Sequence, residues 1–108
     1  MLSVVSTPIG HLEDITYRAV RTLREADVIA CEDTRVTGKL LKAYEITTPM
    51  TSFHGHTSDA KIVRLVEEML AGRHVALVSD AGTPGISDPG FGLIARAAEA
   101  GVRIEPIP

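Results

Sequence analysis

Two unbroken apolar runs, Val28-Ile29-Ala30-Cys31 and Val75-Ala76-Leu77-Val78, constrain this chain more than any other feature. A strand with one face in water alternates apolar and polar residues, whereas a strand covered on both faces has no need to. Runs of this kind predict strands buried on both sides. Between them lie segments with apolar residues at helical spacing, the most regular being Ile62, Val63, Leu65, Val66, Met69 and Leu70. Buried strands alternating with amphipathic helices predict an α/β fold: an open, mainly parallel five-stranded sheet with helices on both faces.

Taken in order, Leu2 to Ser6 reads as a strand running into a turn at Thr7-Pro8-Ile9-Gly10. Asp14 is the expected cap of a helix carrying Ile15, Ala19, Val20 and Leu23 on one stripe. After the Val28 run, a short helix places Val36, Leu40 and Leu41 inward and Lys39 and Lys42 outward, and Thr48-Pro49 ends it. Met50 to Phe53 is the expected third strand. Ser58 caps the following helix, and Gly72 closes it. The last helix runs from about Phe91 to Ala100, with Asp88 as its N-cap and Pro89 in its first turn, and Val102-Arg103-Ile104 is the expected fifth strand.

In a parallel sheet the carboxyl ends of the strands share one edge, and ligands bind there. Three of those ends carry unusual residues: Thr7 to Gly10, Glu32-Asp33-Thr34-Arg35, and the run from Ser79 to Gly90. The last holds three glycines, two prolines and two aspartates, more special residues than a plain connection requires. Thr83-Pro84-Gly85 suits a type II turn, and Asp80 can accept hydrogen bonds from hydroxyls or an amine. The first loop has one glycine where a G-x-G-x-x-G fingerprint needs three, and no G-x-x-x-x-G-K-[ST] loop is present. Dinucleotides and nucleoside triphosphates are disfavoured, while a neutral or cationic nucleoside fits.

The simpler readings of the same residues are structural. Asp88 before a proline is explained by capping alone, and Glu32 and Asp33 suit a helix start, although Arg35 does not. His54 and His56 flank Gly55 with no third ligand in sequence nearby, so no metal is expected. Cys31, the single cysteine, sits in an apolar run, which excludes a disulfide framework and fits a reducing compartment. A formal net charge of −3 leaves no basic surplus, so contact with nucleic acid needs a local basic patch or another part of the protein. No apolar run is long enough to span a bilayer, and no membrane partner is expected.

The stretches Ser6 to Thr16, Glu32 to Arg35, Ser52 to His56 and Ser79 to Gly90 together resemble the ribosomal-RNA branch of the tetrapyrrole methylase superfamily. The resemblance runs through essentially the whole chain, departing at His11 and Gly55, where that branch has asparagine and often glutamate. It implies an S-adenosylmethionine-dependent methyltransferase acting on a cytidine 2′-oxygen in 16S ribosomal RNA, cytoplasmic and homodimeric, with the small ribosomal subunit as partner. It further implies that residues 1–108 are an N-terminal domain, with a C-terminal domain beyond Pro108 closing the cleft. By that resemblance the donor lies against Asp80, Ala81, Gly82, Thr83 and Pro84, with Thr7, Pro8, Gly10 and Asp88 nearby. Glu32 and Asp33 are then the candidate bases, and Arg35 the group for an RNA phosphate. Two other readings stay open here: a tetrapyrrole or diphthine-type methyltransferase, and a non-catalytic nucleoside-binding or dimerisation module.

Overall fold

The computed structural model describes residues 1–7, 12–53, 57–79 and 89–108. Five strands form one sheet: β1 (Leu2–Ser6), β2 (Val28–Cys31), β3 (Met50–Ser52), β4 (Val75–Ser79) and β5 (Ile104–Ile107). Four helices connect them: α1 (Tyr17–Glu25), α2 (Thr34–Ala43), α3 (Asp59–Leu70) and α4 (Pro89–Glu99). The strand order is β3-β2-β4-β1-β5 and every pairing is parallel. The expected architecture is the one found.

Each face of the sheet has its own core. On one face Val5, Ile29, Ala76 and Val78 pack with Ala19, Val20 and Leu23 of α1 and Leu40 and Leu41 of α2. On the other, Val4, Leu77 and Ala30 pack with Leu65, Val66 and Met69 of α3 and Leu93 and Ala97 of α4. Right-handed crossovers explain the division. From β1 through β2 to β3 the chain moves toward one sheet edge, and from β3 through β4 to β5 it moves back. The second pair of helices must therefore cover the opposite face.

Several local expectations are corrected. The cap of α1 is Thr16, whose hydroxyl accepts from the Ala19 N–H at 3.1 Å, while Asp14 belongs to a short 3-10 turn at Leu12–Asp14. Asp14 stands two residues too early to reach the free amides. Val36 is 53% exposed, because the inward places of α2 go to Thr37, Leu40 and Leu41. Leu70 and Val63 also face outward, at the flanks of the stripe Leu65, Val66 and Met69. The helix α2 stops at Ala43, before Thr48-Pro49, with Glu45 in the left-handed region at φ 54°. The fifth strand begins at Ile104 and contains Pro106. An edge strand tolerates proline because every second N–H points away from the sheet.

At the amino end of the sheet, Ser3 Oγ and His74 Nε2 lie 2.7 Å apart, and the His74 amide donates to Asp27 Oδ2 at 2.7 Å. Burial, with the N-terminal ammonium adding to it, pushes the His74 pKa below its ordinary value of 6.5, against the pull of Asp27, Glu25 and Glu105. The folded protein then resists a proton that the unfolded chain accepts. Stability is fully present above about pH 6.5 and falls as the pH drops from there toward the depressed folded value. Urea midpoints at about pH 8 and about pH 5.5 check this. His74→Gln should shrink the difference between the two, and an unchanged difference would remove His74 from the pH response.

Candidate functional site

Because all five strands run the same way, every carboxyl end opens on one edge. At that edge β4 lies between β2 and β1. The connections from β1 and β2 lead to α1 and α2 on one face, while the connection from β4 leads to α4 on the other. Chains leaving neighbouring strands in opposite directions open a crevice between them, the usual ligand position in an open α/β sheet. Here the crevice flanks β4 on both sides.

The β1 and β4 tips are stitched together. The Thr7 amide donates to the Ser79 carbonyl at 3.0 Å, and the Thr7 hydroxyl donates to the same oxygen at 3.2 Å. Thr7 is buried. Ser79 is 4% exposed, and its hydroxyl has no hydrogen-bond partner. The one sequence signal for this residue is a polar end to an otherwise apolar buried strand.

The β2 tip brings the charged residues. Ala30 pairs with Leu77, so the chain reaches Glu32 at about the level where β4 reaches Ser79. Glu32 is exposed and follows the buried Cys31 directly. Asp33 is the N-cap of α2: its carboxylate accepts from the Arg35 amide at 2.9 Å and lies 3.5 Å from the Arg35 Nε. The amide bond and the guanidinium hold the Asp33 pKa below its ordinary value of 3.8. Capping a helix and facing an arginine make Asp33 a weaker base than a free carboxylate. The Arg35 side chain is 89% exposed and can reach a ligand at the rim. Farther along the edge, the Phe53 amide donates to the Cys31 carbonyl at 2.7 Å, Lys61 Nζ bonds the Ser52 carbonyl, and Ser58 caps α3 through the Lys61 amide.

Of the sequence-predicted site residues, the structure thus brings Thr7, Glu32, Asp33 and Arg35 to one edge. Pro8, Gly10, Asp80, Ala81, Gly82, Thr83, Pro84 and Asp88 lie outside the described residues, as do His54 and His56. Pro89 begins α4 as expected. Among the described residues no helix is long and apolar enough to cross a membrane.

Comparison with known proteins bears on the family and the fold. The chain is 54% identical over 108 residues to the ribosomal RNA small subunit methyltransferase I of Synechocystis, covering 100% of the chain and 39% of that protein. It is 52% identical over 107 residues to the protein of the same name from Halalkalibacterium halodurans, covering 99% of the chain and 37% of the relative. The chain therefore spans less than half the length of these relatives. Among solved structures it resembles a cobalt precorrin-4 methyltransferase, with TM-score 0.78 and 21% identity over 99% of this chain and 44% of that one. It also resembles uroporphyrin-III-C-methyltransferase from Thermus thermophilus, with TM-score 0.75 and 25% identity over 99% and 46% of the two chains. The family model described as tetrapyrrole (corrin/porphyrin) methylases matches residues 1–108. With the family model covering residues 1–108 and the fold in agreement, the chain belongs to the tetrapyrrole methylases, a family of S-adenosylmethionine-dependent enzymes.

Proposed function

We propose that residues 1–108 form the N-terminal domain of a two-domain, homodimeric enzyme of the cytoplasm. It methylates the 2′-oxygen of a cytidine ribose in 16S ribosomal RNA of the small ribosomal subunit. The observation that carries this reading is the identity of 52 and 54% to proteins named for small-subunit ribosomal RNA, sustained from end to end of the chain. Structural neighbours named for uroporphyrin and diphthine stand at 25 and 19%, which favours RNA over those substrates.

S-adenosylmethionine supplies a methyl group activated on a sulfonium cation. The described residues fit such a ligand: Glu32 and Asp33 put negative charge at the crevice, and the buried Ser79 hydroxyl offers an unused hydrogen bond. Thr7, Pro8, Gly10, Asp80, Ala81, Gly82, Thr83, Pro84 and Asp88 would line its pocket. In-line displacement at a methyl carbon demands alignment of the attacking oxygen and removal of its proton. Glu32 takes that proton. Asp33 holds the start of α2 and Arg35 beside it, and Arg35 meets an RNA phosphate.

The test is methylation by the complete protein of small ribosomal subunits that lack the modification, with a porphyrin substrate in parallel. Label on a ribose 2′-oxygen of the RNA and none on the porphyrin is the expected result. Label on the porphyrin, or none on RNA, overturns the assignment.

A further inference from the structure

We propose that Ser79 is a donor-binding residue, whose hydroxyl makes a hydrogen bond to an oxygen of the bound methyl donor; this rests on the methyl-transfer reading above. All five residues of β4 are buried, and the strand is hydrogen-bonded to a neighbour on each side. Four of the five are apolar, as such a position demands. The fifth, at the carboxyl end, is a serine.

That serine is an exception among the described residues. Its Oγ is the one buried side-chain nitrogen or oxygen among them without a hydrogen-bond partner. The hydroxyls of comparable residues are committed within the protein. Ser3 meets His74 at 2.7 Å, Thr22 donates to the Arg18 carbonyl at 2.8 Å, Thr48 to the Leu23 carbonyl at 2.6 Å, and Thr7 to the backbone of Ser79 itself. A buried hydroxyl without a partner opposes folding, and an alanine of nearly the same volume would avoid that cost. Its retention at the tip of the strand that the crevice flanks points to a partner that arrives with the ligand.

Position selects the donor rather than the RNA. Side chains alternate along a strand, so Ser79 stands on the face of Val75 and Leu77, toward α3 and α4. Ser6 is its register neighbour on β1. This is the floor of the crevice, whereas Glu32 and Arg35 are exposed at its rim. A polynucleotide backbone is held at the rim, while a small molecule inserted between the strand tips reaches the floor. A neutral hydroxyl there suits a carboxylate or ribose oxygen.

Calorimetry on the complete protein with S-adenosylmethionine and S-adenosylhomocysteine, together with thermal melts of the unliganded protein, decides the matter. Ser79→Ala should weaken both ligands by about tenfold, the worth of one good hydrogen bond, and leave the unliganded Tm unchanged or raised. Methylthioadenosine, which lacks the amino-acid end, tells which oxygen is bound. An equal loss with it identifies the ribose, and no loss identifies the carboxylate. Donor affinity unchanged in Ser79→Ala, for a wild-type protein that binds the donor, overturns this proposal alone. A clear drop in the unliganded Tm also overturns it, because the hydroxyl would then already have a protein partner. A wild-type protein that binds none of these ligands overturns the methyl-transfer reading and this proposal with it.

Discussion

Glu32→Gln in the complete protein lowers the turnover of ribose methylation by about 10²-fold or more, measured with the donor at saturation. Glutamine keeps the size of the side chain and removes its charge, and with it the capacity to take a proton; saturating donor offsets any loss of attraction for the sulfonium. The expectation falls on Glu32 because the two acids at this tip are differently employed. Asp33 spends its carboxylate on the Arg35 amide and guanidinium, and its pKa is lowered by them. Glu32 is one residue closer to the sheet and exposed at the crevice. Asp33→Ala acts by another route, through loss of the α2 cap, which costs about 1 kcal/mol. It would raise the KM for RNA by releasing Arg35. Single-turnover rates under saturating donor separate the two effects, and an unchanged rate in Glu32→Gln removes that residue from the chemistry.

The second large effect is on stability. Leu23→Ala should cost about 3 kcal/mol, because it deletes a large side chain from a fully enclosed site. Leu23 has no exposed surface and packs in the layer that joins α1 to Val5, Ile29 and Ala76. Domains of this size have only about 5–15 kcal/mol in total, so the loss is a large fraction of the whole. Val36→Ala, at a residue 53% exposed, should stay within about 0.5 kcal/mol. Urea unfolding with unchanged m-value measures both. A Leu23→Ala midpoint indistinguishable from the wild type would show that the α1 layer is not part of the cooperative core.

The expectations that held rest on patterns set by near neighbours in the chain. Continuous apolar runs announce strands covered on both faces, and Ser58 before the α3 stripe announces a helix start, since both follow from local geometry. The corrections arose where two candidates lay within a turn of each other. Asp14 and Thr16 can both cap a helix, Asp the better by preference, and the backbone's course from the 3-10 turn into α1 selects Thr16. Val36 and Thr37 compete for one inward place, and the sheet beneath α2 gave it to the threonine. At the site, the sequence left Asp33 open between a helix start and a base, and the structure gives its carboxylate the Arg35 amide as a capping partner.

By itself, the order of residues determined the α/β class, the covered parallel sheet, and the gathering of Thr7, Glu32, Asp33 and Arg35 on one edge, because hydrophobic periodicity and parallel topology are enough to dictate them. Only the tertiary structure decided that β4 sits between β1 and β2, and that Ser79 ends buried with its hydroxyl unspent. Strand order and hydrogen-bond satisfaction depend on residues that are dozens of positions apart, brought together by crossovers whose direction no local pattern encodes.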